Sequence, residues 1–350
     1  MAGYYFQLPT QTDLTYAQQS AVNEPRPIAL SGGPGTGKSV VSLWRHINCH
    51  KRNMNSRLFT YTVSLREYLK QSARTQIESA ASAVYTSLAG KNKLLEEYKE
   101  GKTVAEMIID EAQDLDHSYY EIVKRMCDKI SYGADDAQIA YPGHCCTINN
   151  LKSLFPNNVP YILDQNFRST YFIMDFIKHA FHDAYIPQDI LEDLQDRGRM
   201  GSKPNYLVYS DGGYGVESQS QNAAIRDIIN RYRGNTHNVA ILVPWKKDVQ
   251  HYANLLKDLD FDDFSYYYEG CPEGMDSIKN LHITTFKSAK GLEFDTVIIP
   301  DFDKYPRICG NYNIEWKDFY IGVTRAKINL YLLSSNATPS YSSYVNITRI

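Results

Sequence analysis

The sequence predicts an α/β protein built on two parallel-stranded sheets flanked by helices. Three observations lead there. Short apolar runs alternate with longer amphipathic stretches over most of the chain, the pattern of parallel strands joined by crossover helices. One run, Pro27–Leu30, passes directly into a glycine-rich loop and a helix-compatible stretch. Another, Val104–Ile109, ends in a cluster of carboxylates.

Taken in chain order, the apolar runs place strands at Pro27–Leu30, Leu58–Thr62, Val104–Ile109, Ala137–Tyr141 and Tyr161–Leu163. Further strands are expected at Tyr206–Tyr209, Val239–Val243, Leu281–Thr285, Thr296–Ile299 and Asn329–Leu333. Helical spacing fills the gaps with Lys38–Asn48, Leu65–Ser72, Ser118–Asp128, Thr170–His182, Ser218–Tyr232 and Asp248–Leu259. Polar, glycine-interrupted Leu191–Pro204 reads as a linker. The expected domains are therefore 1–190 and 205–350, joined by 191–204.

Composition narrows the function classes. The chain has 350 residues, enough for two domains. Lys and Arg number 37 against 40 Asp and Glu, a formal charge of −3, so no global positive field would hold a polyanion. Nucleic-acid contact, if made, is confined to a local groove. The stretch Arg45–Arg74 is locally basic, with Arg45, Lys51, Arg52, Arg57, Arg66, Lys70 and Arg74 against Glu67 alone. It suggests salt-sensitive phosphate contact, with a solvated helix face as the equal alternative. Six cysteines form no C-x-x-C pair, which points away from zinc and disulfides and toward a reduced, cytoplasmic setting. The start lacks the basic and apolar regions of a signal peptide, and no run is apolar for long enough to span a membrane.

Gly32-Gly33-Pro34-Gly35-Thr36-Gly37-Lys38-Ser39 fits G-x-x-x-x-G-K-[ST] in the strand–loop–helix context that this phosphate-binding pattern requires. Glycines let backbone N–H groups curl round a β-phosphate at a helix N-terminus. Lys38 neutralises β- and γ-oxygens, and the Ser39 hydroxyl is a ligand for Mg²⁺. At the acidic strand end, Asp110 is placed to hold the same Mg²⁺ through water and Glu111 to polarise an attacking water. The pair argues for hydrolysis of ATP rather than binding alone.

At this point the chain resembles superfamily 1 helicases of the UvrD/Rep/PcrA group. Leu14–Val22 (LTYAQQSAV) is similar to that group's adenine-recognising segment, Gly32–Ser39 to motif I and Met107–Leu115 (MIIDEAQDL) to motif II. Ala134–Gln138 (ADDAQ) is similar to motif III, and Gln165–Thr170 (QNFRST) to motif IV. Thr285–Pro300 (TFKSAKGLEFDTVIIP) looks like motif V, and Tyr320–Lys327 (YIGVTRAK) like motif VI. The resemblance spans residues 14–327 in the family's order. It implies two RecA-like P-loop domains with nucleotide between them, motifs I to IV in the first and V and VI in the second. It also implies that Gln18 holds the adenine edge, Phe167 stacks on the ring, and Gly291 and Glu293 meet the ribose side. Gln138 would sense the γ-phosphate, while Arg168 and Arg325 would act as arginine fingers. Tyr61, Thr62, Tyr141, Thr285 and Lys287 fall where such proteins touch the strand.

Several positions depart from that pattern. Val40 stands where relatives carry an arginine, Lys287 where they carry a histidine, and Ile139–His144 lacks their Trp-Arg pair. About thirty residues separate Ser72 from Val104, too few for an accessory domain. The expectation is an ATP- and Mg²⁺-dependent motor on single-stranded DNA, RNA remaining open, with 3′→5′ polarity from the family alone. The alternative is a nucleic-acid-sensing ATPase switch that controls a partner such as a nuclease, without processive unwinding.

Overall fold

The computed structural model describes residues 4–5, 8–139, 143, 145–184, 186, 188–211, 218–234, 236–272, 274–275, 277–311, 316–335 and 339–350. The chain divides into two compact units, Phe6–Phe167 and Arg168–Ile350, the latter joined by the first five residues. Tyr4 and Tyr5 fasten to this second unit through Tyr4 N–H on the Ile278 carbonyl and Tyr5 N–H on the Asn238 side chain.

The first unit runs α1 (Tyr16–Asn23), β1 (Ile28–Ser31), α2 (Lys38–Lys51), β2 (Ser56–Thr60), α3 (Val63–Arg74), α4 (Glu78–Ala81), β3 (Val84–Thr86), α5 (Ser87–Lys99) and β4 (Glu106–Ile109). It continues with α6 (His117–Val123), β5 (Ile130–Ala134), α7 (Ile148–Leu154) and β6 (Val159–Ile162). Its six strands are all parallel, in the order β3-β2-β4-β5-β1-β6. Leu30, Val41, Leu43, Ile47, Leu58 and Ile108 build one side of the core, Phe59, Met107, Ile109 and Tyr132 the other. Burial on both faces explains why these strands read as near-continuous apolar runs.

The second unit runs α8 (Tyr171–Ala180), α9 (Gln188–Asp196), β7 (Asn205–Val208), α10 (Gln219–Tyr232), β8 (Val239–Val243), α11 (Lys246–Asp258), β9 (Ser265–Tyr267) and β10 (Leu281–Thr285). It ends with β11 (Phe294–Ile299), α12 (Tyr305–Asn311), α13 (Trp316–Val323), β12 (Ala326–Ser334) and β13 (Asn346–Arg349). Seven parallel strands lie in the order β13-β7-β12-β11-β8-β10-β9. β8, β10 and β11 are buried along their whole length. The expected α/β class, with two parallel sheets flanked by helices, is what the chain adopts.

Four expectations need correcting. The strand predicted at Ala137–Tyr141 is instead Ile130–Ala134, and Asp136–Gln138 is a single 3-10 turn. Gly and Ser inside ISYGA dilute its apolar signal, yet as a central strand it is buried throughout. β2 ends at Thr60, and Thr62 caps α3 by accepting the Leu65 N–H. The division between units falls at Phe167/Arg168 rather than within 191–204. That stretch begins as α9, whose Leu191 and Leu194 are buried, and then returns Arg199 and Met200 carbonyls to the Tyr171 and Phe172 N–H groups. Lastly, the basic stretch is largely neutralised. Arg45 is buried on Glu106 at 2.7 Å, Arg57 meets Glu97 at 2.6 Å, and Arg66 and Arg74 pair with Glu67 and Glu78. Two of those partners come from distant sequence, which local charge counting does not register.

Candidate nucleotide site

The glycine-rich loop joins β1 to α2, and two of its glycines are there for steric reasons. Gly37 caps α2 at φ +88, a left-handed conformation that suits glycine. A Cβ on Gly32, at φ +151, would sit 2.2 Å from the Leu163 carbonyl oxygen. Lys38 folds over the loop and donates to the carbonyls of Gly32 at 2.7 Å and Gly33 at 2.9 Å. Thr36 braces the turn from inside, its hydroxyl donating to the Gly33 carbonyl. Gln18 accepts the Thr15 N–H and donates to the Thr36 carbonyl, so both ends of its amide hold the chain. Val40 packs against the core beside α2.

The segment after β6 closes the loop from the other side. Asn166 donates to the Pro34 carbonyl at 3.0 Å, and the Phe167 N–H donates to Gly35 at 2.8 Å. The Phe167 ring remains at the surface, 36% exposed. Asn166 was not singled out from the sequence, although it lies inside QNFRST.

At the end of β4, Asp110 is 1% exposed, and its Oδ2 has no hydrogen-bond partner. Burial and then the neighbouring Glu111 carboxylate push its pKa up, while the Ser39 hydroxyl and Lys38 pull the other way. An orphaned carboxylate oxygen beside a serine hydroxyl suits a hard divalent cation with oxygen ligands. Among the described residues no cluster of three His, Cys, Asp or Glu is placed to hold a metal by itself. Asp110 and Ser39 would thus share such an ion with nucleotide and water.

Glu111 adopts φ +56, a strained conformation for a non-glycine residue costing roughly 1–3 kcal/mol. It accepts a 2.6 Å hydrogen bond from Gln113, whose carbonyl oxygen in turn accepts the Asp135 N–H. Asp135 ties the other groups together. Its Oδ2 accepts from Gln138 at 2.6 Å and lies 3.7 Å from the Lys38 ammonium. Lys38, Asp135, Gln138, Gln113 and Glu111 are thereby brought into one buried polar network, beside which Asp110 feels the charges of Glu111 and Lys38. Gln113 and Asp135 lie within MIIDEAQDL and ADDAQ, but spacing alone gives them no role; only the fold brings them together.

The second unit assembles its own set. Glu293 meets Arg168 at 3.1 Å and Lys327 at 3.6 Å. Burial opposes its ionisation, but Arg168 and Lys327 outweigh it and hold Glu293 below the usual carboxylate range. Arg325 is wholly buried and donates to the carbonyls of Ile321 and Leu292 and to the Thr324 hydroxyl. Through Leu292 it pins the turn in which Gly291 adopts φ +80. Thr285 and Ser288 join hydroxyls at 3.0 Å, and Lys287 lies 3.7 Å from Asp318. In the first unit, half-buried Tyr61 packs against the core. Tyr141 lies outside the described residues.

With this geometry in hand, residues 268–337 match the UvrD-like helicase C-terminal domain family, and residues 16–144 match an AAA domain family. A search of curated protein sequences returns no match. Among solved structures, the C-terminal domain of a possible DNA helicase from Lactobacillus plantarum WCFS1 is 19% identical over 52% of this chain and 97% of that one, with a TM-score of 0.34. The PRRSV helicase is 13% identical over 91% of this chain, with a TM-score of 0.43, and this chain spans 54% of its length. Arterivirus nonstructural protein 10 (helicase) is 13% identical over 94% of this chain and 63% of its own, with a TM-score of 0.42. Among the described residues, no helix is long and apolar enough to cross a membrane.

Proposed function

We infer that this chain, a UvrD-like helicase with an AAA domain ahead of its UvrD-like C-terminal domain, spends ATP hydrolysis on movement along single-stranded DNA, with 3′→5′ polarity. The observation that carries the reading is the network centred on Asp135, which Lys38 and Gln138 share. Lys38 drawn toward a triphosphate would leave Asp135, and Gln138 would feel the change at once. Asp110 and Ser39 would hold Mg²⁺, which would offset the phosphate charge, and Glu111, steadied by Gln113, would orient the attacking water. Gln18 and Phe167 serve the adenine, and Gly291 and Glu293 the ribose. Arg168 and Arg325 stabilise the charge that develops on the transferred phosphoryl group, an effect worth about 10³–10⁵-fold in rate for such arginines. Tyr61, Thr62, Tyr141, Thr285 and Lys287 are the candidate strand contacts.

ATP turnover with and without single-stranded DNA, RNA and duplex tests this, with fork unwinding measured alongside and Lys38→Ala as the blank. Turnover that no nucleic acid raises would sink the motor. Arg168→Ala is the cleaner finger test, because Arg325 also carries the packing of its own unit; it should cut turnover far more than ATP affinity. Polarity is read from displacement of a block placed at either end of a strand.

One observation favours the second reading. The residues between α3 and β4 fold as α4, β3 and α5, with β3 completing the sheet edge beside β2, so this position carries no wedge for strand separation. Stimulated ATPase without unwinding would favour a switch acting on a partner such as a nuclease.

A further inference from the structure

The second unit has a cleft of 660 Å³ at the carboxyl ends of β7, β8, β11 and β12. That size falls in the range of small-ligand sites. It opens where the connections from adjacent β8 and β11 depart in opposite directions, β8 toward β9 and β11 toward β12. Such a switch point is where an open α/β sheet leaves a crevice for ligands.

Its chemistry is unlike that of a phosphate loop. Asp211 accepts the Ser218 hydroxyl at 2.6 Å and the Ser220 N–H at 2.9 Å, so the N-terminus of α10 already has its anion. Asp248 lies in the first turn of α11 and lines the same cleft, half-buried. Asp301, at φ +53 beyond β11, turns its carboxylate toward the Tyr209 hydroxyl and the Lys304 ammonium. A phosphate would meet fixed negative charge at each of these points. A ligand that presents hydrogen-bond donors would meet acceptors.

The walls add Trp245, with the Lys247 ammonium 5.0 Å from its ring centroid, and Tyr252. Planar, sequence-tolerant stacking on such rings is how unpaired bases are held. Arg307 stands exposed among the lining residues, where a backbone phosphate could be met without entering.

We propose that this cleft receives one base unstacked from a single strand, and that Asp248 and Asp301 accept hydrogen bonds from its exocyclic amino group. Cytosine, adenine and guanine then enter in preference to thymine or uracil, whose paired carbonyl oxygens would face the carboxylates. The proposal rests on the reading of the chain as a single-strand motor and adds base preference to it.

The test is fluorescence anisotropy of the full chain with labelled dC12 and dT12 at one fixed salt concentration. In these two pyrimidine strands cytosine presents an amino group where thymine presents a carbonyl oxygen, and thymine adds a methyl group. Binding of dC12 about five-fold tighter than dT12 is expected, the worth of one good hydrogen bond. Asp248→Asn and, independently, Asp301→Asn should bring the ratio to within about two-fold. Asparagine suits the left-handed position 301, which protects that variant from misfolding. Equal affinity of the unaltered chain for the two strands overturns the base preference and leaves the motor standing. A preference that survives both substitutions also overturns it. Absence of binding to either strand overturns the motor reading itself.

Discussion

At the carboxyl end of the first sheet α2 starts behind Gly37, and Lys38 in its first turn donates to the loop carbonyls of Gly32 and Gly33. At the carboxyl end of the second, the N-termini of α10 and α11 are each met by an aspartate, Asp211 and Asp248. The two ends share a further feature. Each has a strand running into an acidic residue in the left-handed region and then a 3-10 turn, Glu111 after β4 and Asp301 after β11. The same local backbone solution therefore serves two chemistries. A lysine behind glycines at a helix start suits anions; carboxylates at the helix starts suit their complement.

The largest effect should follow from Lys38→Ala, which removes the loop's lysine from the Asp135 carboxylate and the glycine carbonyls. ATP turnover should fall by about 10³-fold or more, while the thermal midpoint moves little. An unchanged rate would remove the first sheet's claim to the chemistry. Next comes Gly32→Ala. Its Cβ would meet the Leu163 backbone oxygen, which cannot swing aside, so unfolding free energy should drop by about 3 kcal/mol or more. Gly33→Ala is the control, since a Cβ there meets nothing within 4 Å; denaturant titration should place it within about 1 kcal/mol of the original.

Among the described residues, each unit also buries one neutral imidazole, His46 between Ser56 and the Ala80 carbonyl, and His282 beside Ser265. Burial depresses both pKa values to about 3. The unfolded chain therefore binds protons first, and stability present above pH 6.5 is lost as pH falls toward 3. Each imidazole contributes at most about 1.4 kcal/mol per pH unit. Comparing acid unfolding of His46→Gln with that of His282→Gln would show which unit yields first; identical curves for both variants and the parent would contradict the assignment. The smallest effect is expected from Asp211→Ala. Ser218 remains the N-cap, but loss of the acceptor for its hydroxyl and for the Ser220 N–H should cost about 1 kcal/mol and, in the same variant, let phosphate raise the thermal midpoint, which it should not do in the parent.

Much of the candidate nucleotide site is legible in the sequence because its parts are contiguous. A strand, a glycine-rich loop and a helix start lie within a dozen residues, and MIIDEAQDL combines an apolar run with its carboxylates. The strand at Ile130–Ala134 escaped because its burial comes from neighbours on both sides rather than from its own composition. Edge strands β3, β9 and β13 are three or four residues long and carry too little pattern to register. Arg45 looked like part of a basic surface, but its partner Glu106 lies sixty residues away on the central sheet.

The sequence by itself determined the α/β class, the glycine-rich loop with Lys38 and Ser39 at a helix start, and the carboxylates that follow β4, because each depends on residues close together in the chain. Only the tertiary structure decided that Asp135 joins Lys38 to Gln138, that Asn166 closes the loop, that Arg325 is buried as a packing element, and that the second sheet ends in an acid-lined aromatic cleft. Those features depend on side chains brought together across parallel strands, whose connections are too long for local pattern to specify what will meet.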